Sequence, residues 1–72
     1  MKKYLITSDY SRLQGIGLRY RLMQIGIRNK FEVKAKNLSD NRVEFEVEDE
    51  VDIKPIIEFL KDFRPDVRII LE

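Results

Sequence analysis

The amino-acid sequence predicts an α+β domain in which a four-stranded antiparallel sheet carries two helices on one face. Three observations predict this class: the elements follow in the order βαββαβ, the two middle strands alternate apolar and charged residues, and the second helix has a regular apolar stripe. A chain of 72 residues is near the lower limit for independent folding. Residues 1–72 are therefore expected to form a single domain.

The composition of the N-terminal segment indicates a strand followed by a loop. Lys3–Thr7 is rich in β-forming residues and contains no breaker, which predicts the first strand. Ser8–Gly17 is polar and contains glycine, which predicts a loop.

Leu18–Asn29 is predicted to be the first helix, although its apolar pattern is mixed. The residues at helical spacing are Leu18, Leu22 and Ile25. The alternation of apolar residues between Tyr20 and Ile27 fits a strand as well. Gly26 disfavours a helix by about 1 kcal/mol relative to alanine, unless the helix packs closely against a neighbour there.

The middle of the chain has the pattern of a β-hairpin. Apolar and charged residues alternate in Phe31–Lys36 and again in Val43–Glu48, and Asn37–Asn41 between them is rich in turn-forming residues. One face of this hairpin is therefore apolar and the other charged. Its lysines and glutamates are expected to face each other across the two strands.

A second helix and a last strand complete the chain. Asp52 is expected to cap the helix, with Pro55 in its first turn, and Arg64-Pro65 to end it. The apolar stripe of this helix consists of Ile53, Ile56, Leu60 and Phe63. Val67–Leu71 is predicted to be the last strand. Helices that cross between strands joined by short connections predict a split βαβ, ferredoxin-like sandwich.

The composition excludes several kinds of chemistry. The chain has no cysteine and no histidine, so it has no disulfide, thiolate nucleophile, phosphohistidine or Ser-His-Asp triad. No apolar run is long enough for a signal peptide or a membrane span, so we expect a cytoplasmic protein without a membrane partner. The carboxylates of Glu44, Glu46, Glu48, Asp49 and Glu50 are interpreted as a solvated face and not as a Mg²⁺ or Ca²⁺ site.

The two halves of the chain differ sharply in charge. Residues 1–36 hold nine Lys and Arg against two acidic residues, a net of +7, and residues 37–72 hold five against eleven, a net of −6. A basic first half suits an anionic ligand. The alternative is that the two halves neutralise each other across paired strands.

The loop before the first helix has the composition of an anion-binding site. Gly15 and Gly17 allow successive amide N–H groups to turn to one side, and a helix that starts directly after them adds its positive end. Arg19 at this helix start can add a two-pronged phosphate contact. A G-x-G pattern alone is a weak signal, because many such loops are only turns.

Two windows of the chain resemble the acylphosphatase family. Gln14-Gly15-Ile16-Gly17-Leu18-Arg19 resembles the family signature V-Q-G-V-G-F-R. Asn37 follows Arg19 by eighteen residues, as in the family, and Lys36–Glu44 resembles the family segment R-N-x-x-D-G-x-V-E. The family fold is also βαββαβ, so the resemblance extends over most of the chain.

The resemblance implies a function and a set of site residues. Arg19 and the loop amides would hold the phosphate of an acyl phosphate, and Asn37 would orient the attacking water. The phosphate-binding residues implied in this way are Gln14, Gly15, Ile16, Gly17, Leu18 and Arg19. The implied enzyme is a metal-independent acylphosphatase with no cofactor and no covalent intermediate. Its ligands would be a small acyl phosphate and inorganic phosphate.

Two alternatives remain open on the sequence. The chain has Ser11, Leu18, Val33-Lys34 and Asn41 where the family usually has glycine, phenylalanine, Gly-Trp and glycine. The departures at Ser11 and Val33-Lys34 favour a non-catalytic or weakly active anion-binding domain. The basic first half favours an interaction or nucleic-acid-binding module, but the acidic third strand and the missing aromatic signature argue against nucleic acid. A last strand at a sheet edge predicts a monomer or a weak dimer.

Overall fold

The computed structural model describes residues 1–72 and has the predicted element order. The elements are β1 (Lys2–Thr7), α1 (Leu18–Asn29), β2 (Lys34–Asn37), β3 (Val43–Val47), α2 (Lys54–Phe63) and β4 (Arg68–Leu71). The strand order is β2-β3-β1-β4, and all neighbours are antiparallel. Each helix thus connects two parallel strands that have one strand between them, which confirms the ferredoxin-like α+β fold. Neither helix has the length and apolar character that crossing a membrane requires.

The core lies between the helices and one face of the sheet. In β3, Val43, Phe45 and Val47 are fully buried, whereas Glu44 and Glu46 project from the opposite face. The buried residues that meet these β3 side chains are Ile6, Leu13, Leu18, Leu22, Ile25, Val33, Ile56 and Leu60. Burial of one strand face and of one stripe on each helix is what drives the sandwich together.

Helix α1 has the bounds that the sequence predicts. The residues at helical spacing, Leu18, Leu22 and Ile25, are buried against the sheet. Tyr20, Met23 and Ile27, which contribute to the strand-like alternation, are exposed. The helical interpretation of the mixed pattern is therefore confirmed.

The end of α1 explains why β2 starts later than predicted. Lys30 has a left-handed φ of 64° and donates its N–H to the carbonyls of Gly26 and Ile27, while the Phe31 N–H bonds to the Gly26 oxygen at 2.8 Å. This is a Schellman cap, and it turns the chain back over the last helical turn. Phe31 and the two residues after it are consequently outside the strand, and β2 begins at Lys34.

The β2–β3 hairpin differs from the prediction at its turn. Asn37 is the last residue of β2, paired with Val43, and does not belong to the turn. The reversal uses Asp40 and Asn41, whose φ values of 58° and 62° are typical of a tight hairpin turn. Asn tolerates this left-handed conformation without glycine. The expected cross-strand pairing is also present, because Lys36 Nζ lies 3.5 Å from Glu44 Oε1.

The second half of the chain has two smaller corrections. Asp52 does not cap α2: Ile53 is the N-cap residue, and Asp52 Oδ1 instead accepts the Lys54 N–H at 3.0 Å. Pro55 lies in the first turn, as predicted. Strand β4 begins at Arg68 and occupies one edge of the sheet.

Replacement of Gly26 by alanine is expected to destabilise the protein despite alanine's higher helix propensity. A Cβ at this position would lie 2.5 Å from the Phe31 carbonyl oxygen and 2.8 Å from Val33 Cγ2. Overpacking of this kind destabilises by roughly 1–3 kcal/mol, more than the propensity gain of about 1 kcal/mol. Urea unfolding followed by circular dichroism measures the change. Gln24→Ala on the same helix is the control, expected within about 0.5 kcal/mol of wild type. A more stable Gly26→Ala would contradict the packing argument.

Candidate anion-binding site

The glycine loop before α1 has the backbone shape that the sequence predicts. Gly15 and Gly17 have φ values of 77° and 79°, whereas Ile16 between them is not in the left-handed region. Alternation of the sign of φ along consecutive residues turns their N–H groups toward one side and forms a concave nest. Gly17 is also the N-cap of α1 and has no side chain to occupy the helix end.

Six consecutive backbone N–H groups in this region have no acceptor in the protein. They belong to residues 15–20, and the first amide of the helix to be bonded is that of Arg21, which reaches the Gly17 oxygen at 3.0 Å. The first turn of α1 contains no acidic residue that would offset the positive end of the helix. The loop therefore presents a cluster of donors suited to an anion.

The loop forms one wall of a pocket of about 300 Å³ that also contains Arg19 and Asn37. The lining residues are Leu13, Gly15, Gly17, Leu18, Arg19, Tyr20, Met23, Ala35 and Asn37. Arg19 reaches the pocket from the first turn of α1, and Asn37 from the end of β2. Both side chains are exposed, and neither makes a hydrogen bond or an ion pair within the protein. No carboxylate lines the pocket.

Gln14, unlike the other residues of the predicted phosphate loop, forms side-chain hydrogen bonds within the protein. Its side-chain amide donates to the carbonyl oxygens of Leu38 and Arg42 in the β2–β3 turn, the second at 2.9 Å. Its backbone N–H points to Asn41 Oδ1 at 3.4 Å. The polar groups of Gln14 are thus engaged in bracing the loop, and the unengaged donors begin at Gly15. Ile16 does not line the pocket, and its half-buried side chain packs against the core.

Asn41 provides the second brace between the loop and the turn. Its Oδ1 accepts the Leu13 N–H at 2.8 Å, and its Nδ2 donates to the Ser11 oxygen at 2.8 Å. The glycine that the acylphosphatase family usually has at this position could not form these bonds. Asn41 therefore meets both demands of its position, a left-handed backbone and a side chain that holds the loop.

Ser11, another departure from the family pattern, belongs to a network that the sequence did not reveal. The hydroxyls of Ser8 and Ser11 donate to the two oxygens of Asp66, and the Ser11 N–H lies 3.2 Å from Asp66 Oδ2. Hydrogen bonds from Ser11 and Ser8 lower the pKa of the Asp66 carboxyl to about 2. Asp66 thereby anchors the first part of the β1–α1 loop to the turn before β4.

Arg12 is a further cation beside the loop that sequence reasoning missed. Its Nε donates to the Gln14 oxygen at 3.0 Å, and its guanidinium lies next to Gly15, where a Cβ would approach it to 3.4 Å. Arg12 lies in irregular structure, so no periodic pattern marked it.

Charge neutralisation between the two halves of the chain is only partial. Of the nine Lys and Arg side chains in residues 1–36, Lys36 alone lies within 4 Å of a carboxylate. Arg12 and Arg19 are both exposed and are not ion-paired. The surface around the glycine loop is therefore basic, as expected for a site that attracts anions.

Comparisons of this chain with protein-family models, with curated proteins and with solved structures found no match. The resemblance to acylphosphatases thus depends on the two sequence windows and on the spacing between Arg19 and Asn37.

The Asp66 network predicts a stability difference that depends on pH. Because the pKa of folded Asp66 is about 2, below its ordinary value, the stabilisation is fully present above about pH 4 and is lost as pH falls toward 2. Asp66→Asn should therefore be less stable than wild type at pH 6, with a difference that shrinks between pH 4 and pH 2. Urea unfolding across this range measures it, with Asp62→Asn, which removes an exposed carboxylate of α2, as the baseline. A difference that stays constant down to pH 2 would disprove the network's contribution.

Proposed function

We propose that this protein is an acylphosphatase-like hydrolase, which cleaves the carboxyl–phosphate anhydride of an acyl phosphate to a carboxylate and inorganic phosphate. The observation that carries the proposal is the pocket that combines unbonded loop amides, Arg19 and Asn37. These are the three components that the family resemblance implies. The loop amides and Arg19 come from one segment, and Asn37 comes from the end of β2.

The loop amides and Arg19 bind the phosphoryl group in this proposal. Amides aimed at one point need no reorganisation when negative charge develops on the phosphoryl oxygens. The guanidinium of Arg19 adds two parallel donors and a positive charge. Phosphoryl transfer requires mainly positioning and charge stabilisation, so these groups supply most of what the reaction needs.

Asn37 holds the attacking water. Its carboxamide oxygen accepts a hydrogen bond from the water, whose oxygen attacks phosphorus on the side opposite the acyl group. The bond between phosphorus and the carboxyl oxygen breaks, and its electron pair leaves with the carboxylate. The proton lost by the water ends on the phosphate product or in solvent. A carboxylate is a good leaving group, so no general acid is needed.

The second candidate function is an anion-binding domain with little or no turnover. The specific observation that favours it is the free side chain of Asn37, which no hydrogen bond within the protein holds in one orientation. A water-positioning residue that is loosely held loses much of its catalytic effect. The same loop and Arg19 would still bind phosphate.

Hydrolysis of acyl phosphate by the purified protein is expected to survive chelation with EDTA. In the proposed site the amides and Arg19 supply the positive charge that a metal ion supplies in many phosphoryl-transfer enzymes. Rates are measured with and without EDTA and after addition of Mg²⁺. Activity that disappears with EDTA and returns with Mg²⁺ would show that hydrolysis needs a metal ion and would contradict the proposed site.

Variants of Arg19 and Asn37 are expected to separate phosphate binding from turnover. Arg19→Ala should weaken inorganic phosphate binding by roughly 10–100-fold, because it removes charge-assisted hydrogen bonds worth about 1.5–3 kcal/mol, and should lower turnover as well. Arg19→Lys should restore only part of both, because an ammonium does not reproduce the two-pronged contact. Asn37→Ala should lower kcat by about 10²-fold or more while phosphate still competes with substrate.

The matched control for Arg19 is Arg28→Ala, which removes the same charge from the last turn of α1. Phosphate affinity by titration, hydrolysis rate and thermal stability are measured for each variant. Wild-type turnover by Asn37→Ala, or unchanged phosphate binding by Arg19→Ala, would show that the proposed site is wrong. Unchanged phosphate binding in Asn37→Ala, together with no turnover in the wild type, would support the anion-binding alternative.

A further inference from the structure

The two edges of the sheet differ in how they are protected against pairing with another strand. At one edge, β2 carries Lys34 and Lys36, and lysines on an edge strand discourage such pairing. At the other edge, β4 ends in three consecutive apolar residues, Ile69–Leu71. Two of them, Ile70 and Leu71, remain 48% and 57% exposed. No strand lies on the outer side of β4, so this edge lacks the protection that the β2 edge has.

The backbone of β4 has free donors and acceptors at alternate residues. The Glu72 N–H donates to the Lys3 oxygen, at the start of β1, at 2.9 Å. In an antiparallel ladder, the N–H and C=O of successive residues point to opposite sides of the strand. The groups of Ile70 therefore point toward β1, like those of Glu72. Those of Ile69 and Leu71 point away from the sheet and present two donors and two acceptors along its free edge.

We propose that β4 pairs antiparallel with β4 of a second copy of this chain, with Ile70 opposite Ile70 of the partner subunit. The outward groups of Ile69 then meet those of the partner's Leu71, and the reverse pair forms on the other side of the twofold axis. The interface is isologous, with the same residues contributed by both copies. It joins two four-stranded sheets into one sheet with all helices on one face. This pairing does not depend on the proposed function, because β4 contributes no residue to the phosphate pocket.

The side chains select this register among the three that bring outward-pointing residues together, which centre on Ile69, Ile70 or Leu71. Ile69 packs against the core, so Arg68 and Ile70 project from the opposite, outer face of the sheet. With Ile70 at the axis, the two Ile70 side chains meet, and each Arg68 lies opposite the partner's Glu72. A register centred on Ile69 would instead place Arg68 opposite the partner's Ile70. One centred on Leu71 would place Ile70 opposite the partner's Glu72. Only the middle register matches apolar with apolar and cation with anion.

The two charged residues of this interface have capacity for a partner. Arg68 forms an ion pair with Asp9 at 3.1 Å, and both side chains are exposed, so the guanidinium keeps further donors free. Glu72 has no Lys or Arg nitrogen within 4 Å. Desolvation and the neighbouring Glu44 carboxyl raise the pKa of Glu72. A guanidinium from the second copy would offset this repulsion.

Single cysteines test the register, because the chain has none of its own. Residues that face each other across antiparallel strands have Cα atoms roughly 4.5–5.5 Å apart, within the range of a disulfide. Ile70→Cys should therefore form a disulfide-linked dimer with oxidised glutathione, followed by non-reducing electrophoresis. Ile69→Cys and Leu71→Cys should link much more slowly, because each lies diagonal to its own copy, about 7–8 Å away. Ile27→Cys, exposed on α1, measures linkage by random collision. Fastest linkage at position 69 or 71, or equal rates in all four variants, would overturn the proposal.

Charge reversals test the pairing without a covalent link. Sedimentation equilibrium over a concentration series up to millimolar gives the dissociation constant of the dimer. Arg68→Glu and Glu72→Arg should each weaken the dimer about tenfold, because like charges then meet twice in each dimer. The double variant should recover most of the loss. Lys34→Glu, a matched reversal at the opposite edge, should leave the constant unchanged. A wild type that stays monomeric, or a double variant without recovery, would contradict the interface.

Amide exchange of the wild type gives a measurement that needs no variant, and it decides the matter if a variant fails to fold. The Ile69 and Leu71 N–H groups should exchange rapidly in the dilute monomer and become protected as the dimer forms. The Ile70 N–H, which bonds to β1, should be protected at every concentration. A dimer in which Ile69 and Leu71 still exchange rapidly would use another surface, and the proposal would be wrong.

Discussion

The site depends on the hydrogen bonds that join the glycine loop to the β2–β3 turn. Gln14 donates to Leu38 and Arg42, and Asn41 bonds to Ser11 and Leu13 in return. The two segments are more than twenty residues apart in the chain, and these hydrogen bonds hold them against each other. Because these bonds go to backbone atoms on both sides, they place the loop amides and Arg19 opposite the end of β2. The geometry of the pocket therefore depends on hydrogen bonds that hold two backbone segments together.

Much of the fold could be predicted because its signals are local. The apolar stripe of α2 and the alternation of β3 are periodic patterns, and one face of each is buried as the pattern requires. The start of β2 could not be predicted from the sequence. The alternation around Phe31 is compatible with a strand and also with a Schellman cap at the end of α1. The cap brings Phe31 and Val33 close to Gly26, and no local pattern in the sequence shows this contact. The predicted N-cap of α2, Asp52, was wrong by one position. Its side chain accepts the Lys54 N–H without Asp52 being the N-cap residue.

In the candidate site too, features formed by residues near in sequence could be predicted, and contacts between residues far apart in sequence could not. The glycine loop and Arg19 could be located from a six-residue window, and the spacing to Asn37 added the other side of the pocket. The brace from Gln14 could not be foreseen, because an amide side chain in a phosphate-loop motif is equally suited to the ligand and to the protein. The network of Ser11 and Asp66 joins residues 55 positions apart, and no pattern in the sequence connects them.

The position of Asp66 makes the pocket sensitive to fraying at the sheet edge. Strand β4 has only four residues and one free edge, so it belongs to the part of a fold that opens most readily by local unfolding. Asp66 lies just before β4, and when that strand detaches, Ser8 and Ser11 lose their anchor together. The loop would then be held only from the side of the β2–β3 turn. Local unfolding of the last strand would therefore reach the glycine loop through a single carboxylate.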